Sequence, residues 1–396
     1  MAPLSGGRAF AALAFTFAVT MMGTTLPTPM YVIYQGEFGF SITMSTVIFA
    51  TYAFGVLAAL LAFGRWSDTL GRRPLLLGGL AVAIISDVVF LLAGNTETLL
   101  VGRVLSGLSA GIFVGTATAA VVEAAPATWR PRAALIATAA NIGGLGLGPL
   151  VAGVLVDWLP WHLHLAFIVH IMLSLVAVAL VWGVAETVDV VPGSRPGFQR
   201  LLVPAKVRTT FIGAGIAAFA GFAVMGLFVA VSPRFVANAL TNPSPALEGL
   251  VVFTVFGASV VAQVVLKGVS TTHAVNAGCA LLVAGMGILA WGLQAESVPL
   301  IVLAAVAAGA GQGISFSKGL ASVLAKVDPH QRAGVTSAFF VVAYIAISVP
   351  VIGEGLAAQK WGLTSAGTSF SAAVAVLAAL ALITLVIDQR REARAG

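Results

Sequence analysis

The chain has 396 residues, of which 59% are hydrophobic and 9% are charged, and its mean hydropathy is +1.05. Soluble domains carry about 25% charged residues, so this chain has too few charges to cover a surface that faces water. The composition therefore excludes a soluble enzyme, a nucleic-acid-binding domain and a disordered chain. It leaves a protein that crosses a lipid bilayer several times.

The apolar runs are long and continuous, which favours spanning helices over the alternating pattern of a transmembrane β-barrel. Short turns rich in charge, Pro or Gly separate them. The pattern predicts an all-α polytopic membrane protein with twelve transmembrane helices. The predicted spans lie near residues 10–33, 43–63, 75–94, 98–122, 133–156, 163–185, 209–231, 248–266, 274–293, 298–325, 333–356 and 364–387.

A polar segment rich in Pro and Gly divides the spans into two groups of six. The predicted organisation is an N-terminal six-helix bundle (1–185), a cytoplasmic linker (186–207) and a C-terminal six-helix bundle (208–396). Related features recur about 200 residues apart, which indicates two pseudo-symmetric halves of the kind found in transporters. The recurring residues are Pro126, Arg130 and Arg132 with Pro329 and Arg332, and the glycines of span 4 (Gly107, Gly111, Gly115) with those of span 10 (Gly309, Gly313).

The basic residues predict the orientation of the chain. In loops on the side opposite the N-terminus there are only Arg234 and Lys360, and within spans only Arg103 and Lys318. All other Lys and Arg residues fall on the side of the N-terminus, so the positive-inside rule predicts that both termini are cytoplasmic. We expect a multi-pass protein of the cell (cytoplasmic or inner) membrane.

The loop after span 2 reads Gly-Arg-Trp-Ser-Asp-Thr-Leu-Gly-Arg-Arg-Pro over residues 64–74. It resembles the cytoplasmic loop motif of the major facilitator superfamily, in which an Asp follows a Gly by four residues and precedes Gly-Arg-Arg/Lys-Pro. Thr69 departs from the motif, where a basic residue is usual, and the equivalent loop of the second half (267–273) lacks the motif. The resemblance extends to the twelve spans and the central linker, and it implies the fold of that superfamily.

The resemblance implies that this loop is a conformational latch. Its members are Gly64, Asp68, Gly71, Arg72 and Arg73 of the loop with Arg130 at the start of span 5. By this resemblance Asp68 faces the N-terminal end of span 11, near 333–337, where the helix dipole favours a carboxylate. Either Arg72 or Arg130 then neutralises Asp68. The alternative is that these charges only set the topology.

Span 5 carries glycines around a proline over residues 144–153. Gly144, Gly148, Pro149 and Gly153 resemble the antiporter motif of the superfamily's twelve-helix drug–proton branch. Ala152 replaces one of its glycines, and Leu135 stands where an earlier glycine is usual. The Leu-Pro-Thr-Pro of span 1 (26–29) and the opening of span 4 (102–107) resemble further motifs of that branch. The alternative is close helix packing by small residues without an antiporter role.

Two charged residues lie inside the predicted spans of the first half, where charges are costly and usually functional or paired. Asp87 and Arg103 both lie about 10 Å from the outer end of their helices. We expect them to pair or to share a water network, and the resemblance ties Arg103 to proton transfer. A purely structural ion pair is the alternative. For His170 of span 6 a structural role is favoured over a proton relay.

The resemblance also implies that spans 1, 4, 7 and 10 line a central substrate cavity. Lys318 either attracts an anionic group there or extends toward the cytoplasmic end of its helix, and Glu354 of span 11 is expected to reach water. The predicted cavity residues, for which plain packing is the alternative, are Thr20, Thr24, Phe222, Met225, Gln312, Lys318 and Tyr344.

No nucleotide-binding loop or cluster of metal ligands is found in the sequence, so the expected energy source is the proton gradient, without a bound cofactor. The sequence predicts a proton-coupled exporter of small amphipathic compounds that works by alternating access. Its expected partners are the substrate, protons and the bilayer, with no nucleic acid, and a monomer suffices. The alternatives are an uptake symporter for a sugar, amino acid or organic acid, a membrane sensor or assembly protein, and a membrane-embedded enzyme.

Overall fold

The computed structural model describes residues 4–64, 66–188, 197–239 and 244–395. The central part of the predicted linker, 189–196, lies outside the described residues. Within the described residues, twelve helical spans are long and apolar enough to cross a membrane, as the sequence predicts.

Span 1 consists of two helices, Gly6–Thr25 and Tyr31–Phe38, joined by a 3₁₀ turn at Thr28–Met30. Pro27 and Pro29 account for the break, because proline has no N–H group for the helical ladder. The other spans are single helices. They are Ile42–Phe63, Arg72–Leu91, Thr96–Glu123, Arg130–Trp158, Leu165–Gly183, Arg208–Ala230, Pro245–Val265, Thr271–Gln294, Val298–Leu324, Arg332–Trp361 and Leu363–Ala395, which we number spans 2 to 12.

Two predicted loops contain short helices. Trp66–Leu70 lies between spans 2 and 3, and Ser232–Ala239 follows span 7. Pro233 suits the first turn of the second helix, where its missing N–H group has no partner to lose. Burial lowers the pKa of Arg234, which is in this helix, to about 10.

Packing divides the chain into two compact units. The first unit consists of Met1–Phe40, Thr51–Arg200 and Ser244–Gly249; the second consists of Ser41–Ala50, Leu201–Pro243 and Leu250–Gly396. The first turn of span 8 thus packs within the first unit, and the start of span 2 packs within the second. The sequence pattern assigns each span as a whole to one half, whereas the contacts group these two helix starts with the other unit.

Glycine stripes explain the close packing inside each unit. In the first unit, Gly107 and Gly111 bring span 4 against the backbone of span 2, where an added Cβ would meet carbonyl oxygens of Tyr52 and Val56. In the second unit, Gly309 and Gly313 bring span 10 against Val255 and Ser259 of span 8 in the same way. Small residues permit such an approach of two helices, and the repeated arrangement matches the predicted pseudo-symmetry.

Candidate functional site

A buried polar cluster lies between spans 1, 3, 4 and 6 of the first unit. The ring Nδ1 of His170 lies 2.6 Å from Oδ2 of Asp87, and both side chains are buried. Its Nε2 lies 2.8 Å from the carbonyl oxygen of Val19. Gly23 makes room for the imidazole, because a Cβ there would meet the ring.

The partners of His170 define how the proton is held. A carbonyl oxygen can only accept, so Nε2 carries a hydrogen and donates it to Val19. The short contact between Nδ1 and Asp87 then holds one further proton, either on the carboxyl group or on the ring. The pair is neutral in both forms.

Arg103 is also buried, but it does not have the predicted partner. Its guanidinium group donates to the carbonyl oxygen of Thr24 and lies 4.7 Å from the centre of the Tyr52 ring. A direct Asp87–Arg103 pair is therefore not formed, and Asp87 pairs with His170 instead. The physical reason is that equal depth along two helices does not fix the direction in which their side chains point. The alternative expectation, a water network shared by Asp87 and Arg103, stays a prediction.

The two charged residues are nevertheless near neighbours through the backbone. The hydroxyl group of Ser86 donates to the carbonyl oxygen of Gly102 at 2.8 Å, and these residues precede Asp87 and Arg103 directly. A small polar cavity with room for about one water molecule adjoins the cluster. Its lining residues include Thr20 and Thr24, whose hydroxyl groups donate to carbonyl oxygens of their own helix.

The other predicted cavity residues lie in the second unit, and two of them, Phe222 and Tyr344, belong to an aromatic group around Phe316, which the sequence analysis missed. Phe316 of span 10 contacts Phe222 of span 7, with ring centres 4.9 Å apart, and Phe340 of span 11 at 5.6 Å. Phe340 in turn lies 6.4 Å from the ring of Tyr344. Phe316 was detectable as the residue one helical turn after Gln312.

Two further predicted cavity residues are buried. The side chain of Met225, on span 7, is buried. The side-chain oxygen of Gln312, also buried, accepts a hydrogen bond of 2.8 Å from Ser259. Lys318 is different, because its ammonium group donates to the carbonyl oxygens of Lys267 and Val269 at 2.9 and 2.8 Å. Lys318 thus extends to the loop after span 8, which agrees with the alternative expectation that it reaches the cytoplasmic end of its helix rather than the cavity.

The loop between spans 2 and 3 forms a charge network. Arg72 donates to Asp68 at 2.6 Å and to Glu123, at the end of span 4, at 3.0 Å. The carboxylate of Glu186 accepts from the backbone N–H groups of Arg72 and Arg73 at 2.9 and 3.0 Å. Arg72, not Arg130, is therefore the partner of Asp68.

Each other latch residue has a defined place. Gly71 has a φ of +102°, which favours glycine, and a Cβ there would meet Glu186. Gly64 lies against Gln199, whose N–H donates to Leu61. The guanidinium group of Arg73 lies 5.3 Å from the Trp182 ring, and Arg130 is exposed at the start of span 5. The expected contact between Asp68 and span 11 stays a prediction.

Glu123 and Glu186 were missed by the sequence analysis. A signal was available, because both follow even-numbered spans and so share the membrane face of the loop at 64–74. The carboxylate of Glu186 also lies at the N-terminus of span 3, where the helix dipole favours a negative charge.

The glycines and the proline of span 5 support close contacts within the first unit. A Cβ at Gly144 or Gly148 would meet carbonyl oxygens of span 1, and a Cβ at Gly153 would meet that of Pro245 in the first turn of span 8. Pro149 cannot donate to Leu145, and the hydroxyl group of Thr25 donates to that carbonyl oxygen instead, at 2.7 Å.

Among the described residues, twelve spans in two units, with a charge network at one loop and a buried ionisable pair inside one bundle, define a polytopic membrane protein. The family model described as Major Facilitator Superfamily matches residues 13–351. The chain therefore belongs to the major facilitator superfamily, a family of transporters and not of enzymes.

Individual relatives support this membership. The chloramphenicol resistance protein CraA of Acinetobacter baumannii is 28% identical over 322 residues, which are 78% of this chain and 75% of CraA. An uncharacterized MFS-type transporter of Mycobacterium tuberculosis is 28% identical over 179 residues, which are 45% of this chain but 26% of that protein. The crystal structure of the human organic anion transporter MFSD10 (TETRAN) shares the fold, with a TM-score of 0.66 and 16% identity over 96% of this chain and 99% of that chain.

Proposed function

We propose that this transporter exports small amphipathic compounds in exchange for protons, by alternating access. The observation that carries the proposal is the similarity to the chloramphenicol resistance protein of Acinetobacter baumannii, which extends over 78% of this chain. The motif of span 5, which resembles that of drug–proton antiporters, favours export over uptake. The proposed location is the cell membrane, with both termini in the cytoplasm.

The buried pair of Asp87 and His170 is the proposed proton carrier, and it works together with Arg103. The pair is neutral while it holds the shared proton. Loss of that proton leaves a buried negative charge, which is costly in a membrane unless a cation compensates it. Arg103 is the cation at hand, since Ser86 and Gly102 join the two helices directly beside these residues. Proton release would thus exchange the His170 contact of Asp87 for an Arg103 contact.

The half-buried aromatic side chains around Phe316 are the proposed surface for apolar substrates. Phe222, Phe340 and Tyr344 extend this surface over three spans of the second unit. Aromatic rings offer large contact areas without demanding a particular hydrogen-bonding pattern. Such a surface suits a range of amphipathic compounds.

Everted membrane vesicles test the exchange. In everted vesicles the cytoplasmic face lies outward, so an exporter moves substrate into the vesicle. Vesicles that contain the parent protein should therefore accumulate substrate when the inside is made acidic, because protons leave in exchange. Asp87→Asn and His170→Gln should abolish this gradient-driven uptake while substrate binding persists. Glu97→Gln, at an exposed position in the first turn of span 4, is the matched control. Full proton-driven uptake by both Asp87→Asn and His170→Gln would contradict the assignment of the carrier.

A susceptibility panel identifies the substrate class. A strain stripped of its own efflux pumps, with and without this gene, should differ in tolerance to apolar drugs, with chloramphenicol tested first. Equal susceptibility to every compound would argue against drug export, and gradient-driven uptake into intact cells would favour the symporter instead.

A further inference from the structure

The tripeptide Glu-Gly-Leu occurs at 248–250, in the first turns of span 8, and again at 354–356, near the end of span 11. In both copies the glycine lies against another helix. A Cβ at Gly249 would meet the carbonyl oxygen of Pro149 in span 5, within the first unit. A Cβ at Gly355 would meet the hydroxyl group of Thr46 in span 2, within the second unit.

The acidic residue before each glycine is buried at this contact. Glu354 is 3% exposed, and neither of its carboxyl oxygens has a hydrogen-bond partner among the described residues. Glu248 is also 3% exposed, and its Oε2 lacks a partner in the same sense. An ionised carboxylate without a partner is far too costly to bury, so the carboxyl group of Glu354 carries a proton in this conformation.

Neighbouring charges do not compensate either glutamate. The start of span 2 has no titratable residue, and the other elements packed on span 11 carry theirs near the ends far from Glu354. These residues are Arg208 of span 7, Lys318 of span 10, His330 of the turn before span 11, and Asp388, Arg390, Arg391, Glu392 and Arg394 near the end of span 12. Lys360, on the same helix, is about 1.7 turns away and exposed. Beside Glu248, Asp157 of span 5 accepts a hydrogen bond of 2.6 Å from Ser244 and adds negative charge.

The two contacts are held by few polar interactions. Thr43 of span 2 donates to the carbonyl oxygen of Gly355 at 3.1 Å and to the side chain of Gln359 at 2.6 Å. Near the end of span 11, Glu354 lies about 10 Å before Trp361. Separation of the helices at Gly355 is therefore the direct way to bring water to this carboxyl group.

We propose that Glu354 and Glu248 are proton-binding groups of two acid-closed contacts, span 2 on span 11 and span 5 on span 8. Each carboxyl group binds a proton when its contact forms and releases it when the contact opens. The predicted topology puts both contacts at the outer side of the membrane, so external acid favours their closed state. The inference uses this topology but not drug export or the Asp87–His170 carrier.

Proton linkage gives the sign and the size of the effect. The closed contact holds one more proton than the open contact, so the ratio of open to closed falls as the pH falls. One linked proton changes this ratio by up to about tenfold per pH unit. Glutamine cannot ionise, so Glu354→Gln should stay closed at every pH.

Cysteine labelling in intact cells measures the opening. Thr46 is 1% exposed, so in a Cys279→Ala background Thr46→Cys should react with a membrane-impermeant maleimide only when the span 2 contact opens. Gly94→Cys, in the loop after span 3 where a Cβ meets nothing within 4 Å, is the permanently accessible reference. Dividing the two rates removes the effect of pH on the thiol itself. An ionophore keeps the pH equal on both sides, and no substrate is present.

The normalised labelling rate of Thr46→Cys should fall by up to about tenfold per unit from pH 8 to pH 6. Added Glu354→Gln should make it low and independent of pH, whereas Glu354→Asp should retain the slope. Ala246→Cys with Glu248→Gln gives the test at span 8, because the backbone of Ala246 lies against Gly153. Ala246 is half-buried in the closed contact, so the expected fall of its labelling rate with pH is smaller than that of Thr46→Cys. A flat profile in the parent, or an unchanged slope in the glutamine variants, would overturn the proposal. Labelling of Gly94→Cys verifies that each variant inserts into the membrane. Should a glutamine variant fail to insert, the pH dependence of labelling in the parent protein decides whether the contact closes in acid.

Discussion

At the scale of single residues, Pro149 shows how one side chain compensates for the backbone defect of another. Proline removes the hydrogen bond that its own position would donate to Leu145. The hydroxyl group of Thr25, on span 1, fills this vacancy at 2.7 Å. The peptide group of span 5 that lacks its helical hydrogen bond is thus bonded to a neighbouring helix.

We expect Thr25→Val to lower the apparent Tm by about 1–2 °C. The substitution keeps the shape of the side chain but leaves the carbonyl oxygen of Leu145 without a donor, at a cost of about 1 kcal/mol. Thr25→Ser retains the hydroxyl group and is the matched control. Thermal unfolding of the detergent-purified variants measures the difference, and equal Tm values for Val and Ser would show that the bond contributes nothing.

The partners of single charged side chains, and the burial of one of them, could not be predicted from the sequence. Hydropathy indicated that Asp87 and Arg103 are buried, and both are. It did not indicate the partner, because the rotation of span 6 that turns His170 toward Asp87 depends on Gly23 in span 1. Glu354 was expected to reach water, yet it is buried, because the start of span 2 packs over the end of span 11.

At the scale of elements, apolar composition and the turn residues between apolar runs were enough to locate the helices. Twelve spans follow from apolar runs separated by turn residues, and the stripes of glycine predicted which helix faces approach closely. The charge network at 64–74 could be predicted only in part. Its Asp, Gly and Arg residues form a local motif, whereas Glu123 and Glu186 come from distant parts of the chain.

Span 5 permits a test with a control inside the same helix. Gly148→Ala and Gly153→Ala should each destabilise the protein by about 1–3 kcal/mol, because the new Cβ would meet a backbone carbonyl that cannot move away easily. Gly143→Ala has nothing within 4 Å of its Cβ and should be neutral or slightly stabilising. Thermal unfolding of the three variants compares them, and similar losses at all three positions would point to backbone conformation rather than to contact.

At the scale of the whole molecule, the distribution of basic residues argues for one orientation in the membrane. Only Arg234, in the short helix after span 7, and Lys360, in the last turn of span 11, lie at the side opposite the N-terminus. Positively charged loops resist transfer across the membrane during insertion, so the basic side stays in the cytoplasm. The proposed direction of transport and the proposed external proton dependence both build on this orientation.

Single-cysteine labelling checks this orientation directly. In a Cys279→Ala background, Gly94→Cys in the loop after span 3 should react with an impermeant maleimide in intact cells. Thr128→Cys, at an exposed position in the loop after span 4, should react only in everted vesicles. One spanning helix separates these two loops, so they must lie on opposite faces whatever the orientation. Reaction of Thr128→Cys in intact cells and of Gly94→Cys only in everted vesicles would invert the topology, and the acid-closed contacts would then respond to cytoplasmic rather than external pH.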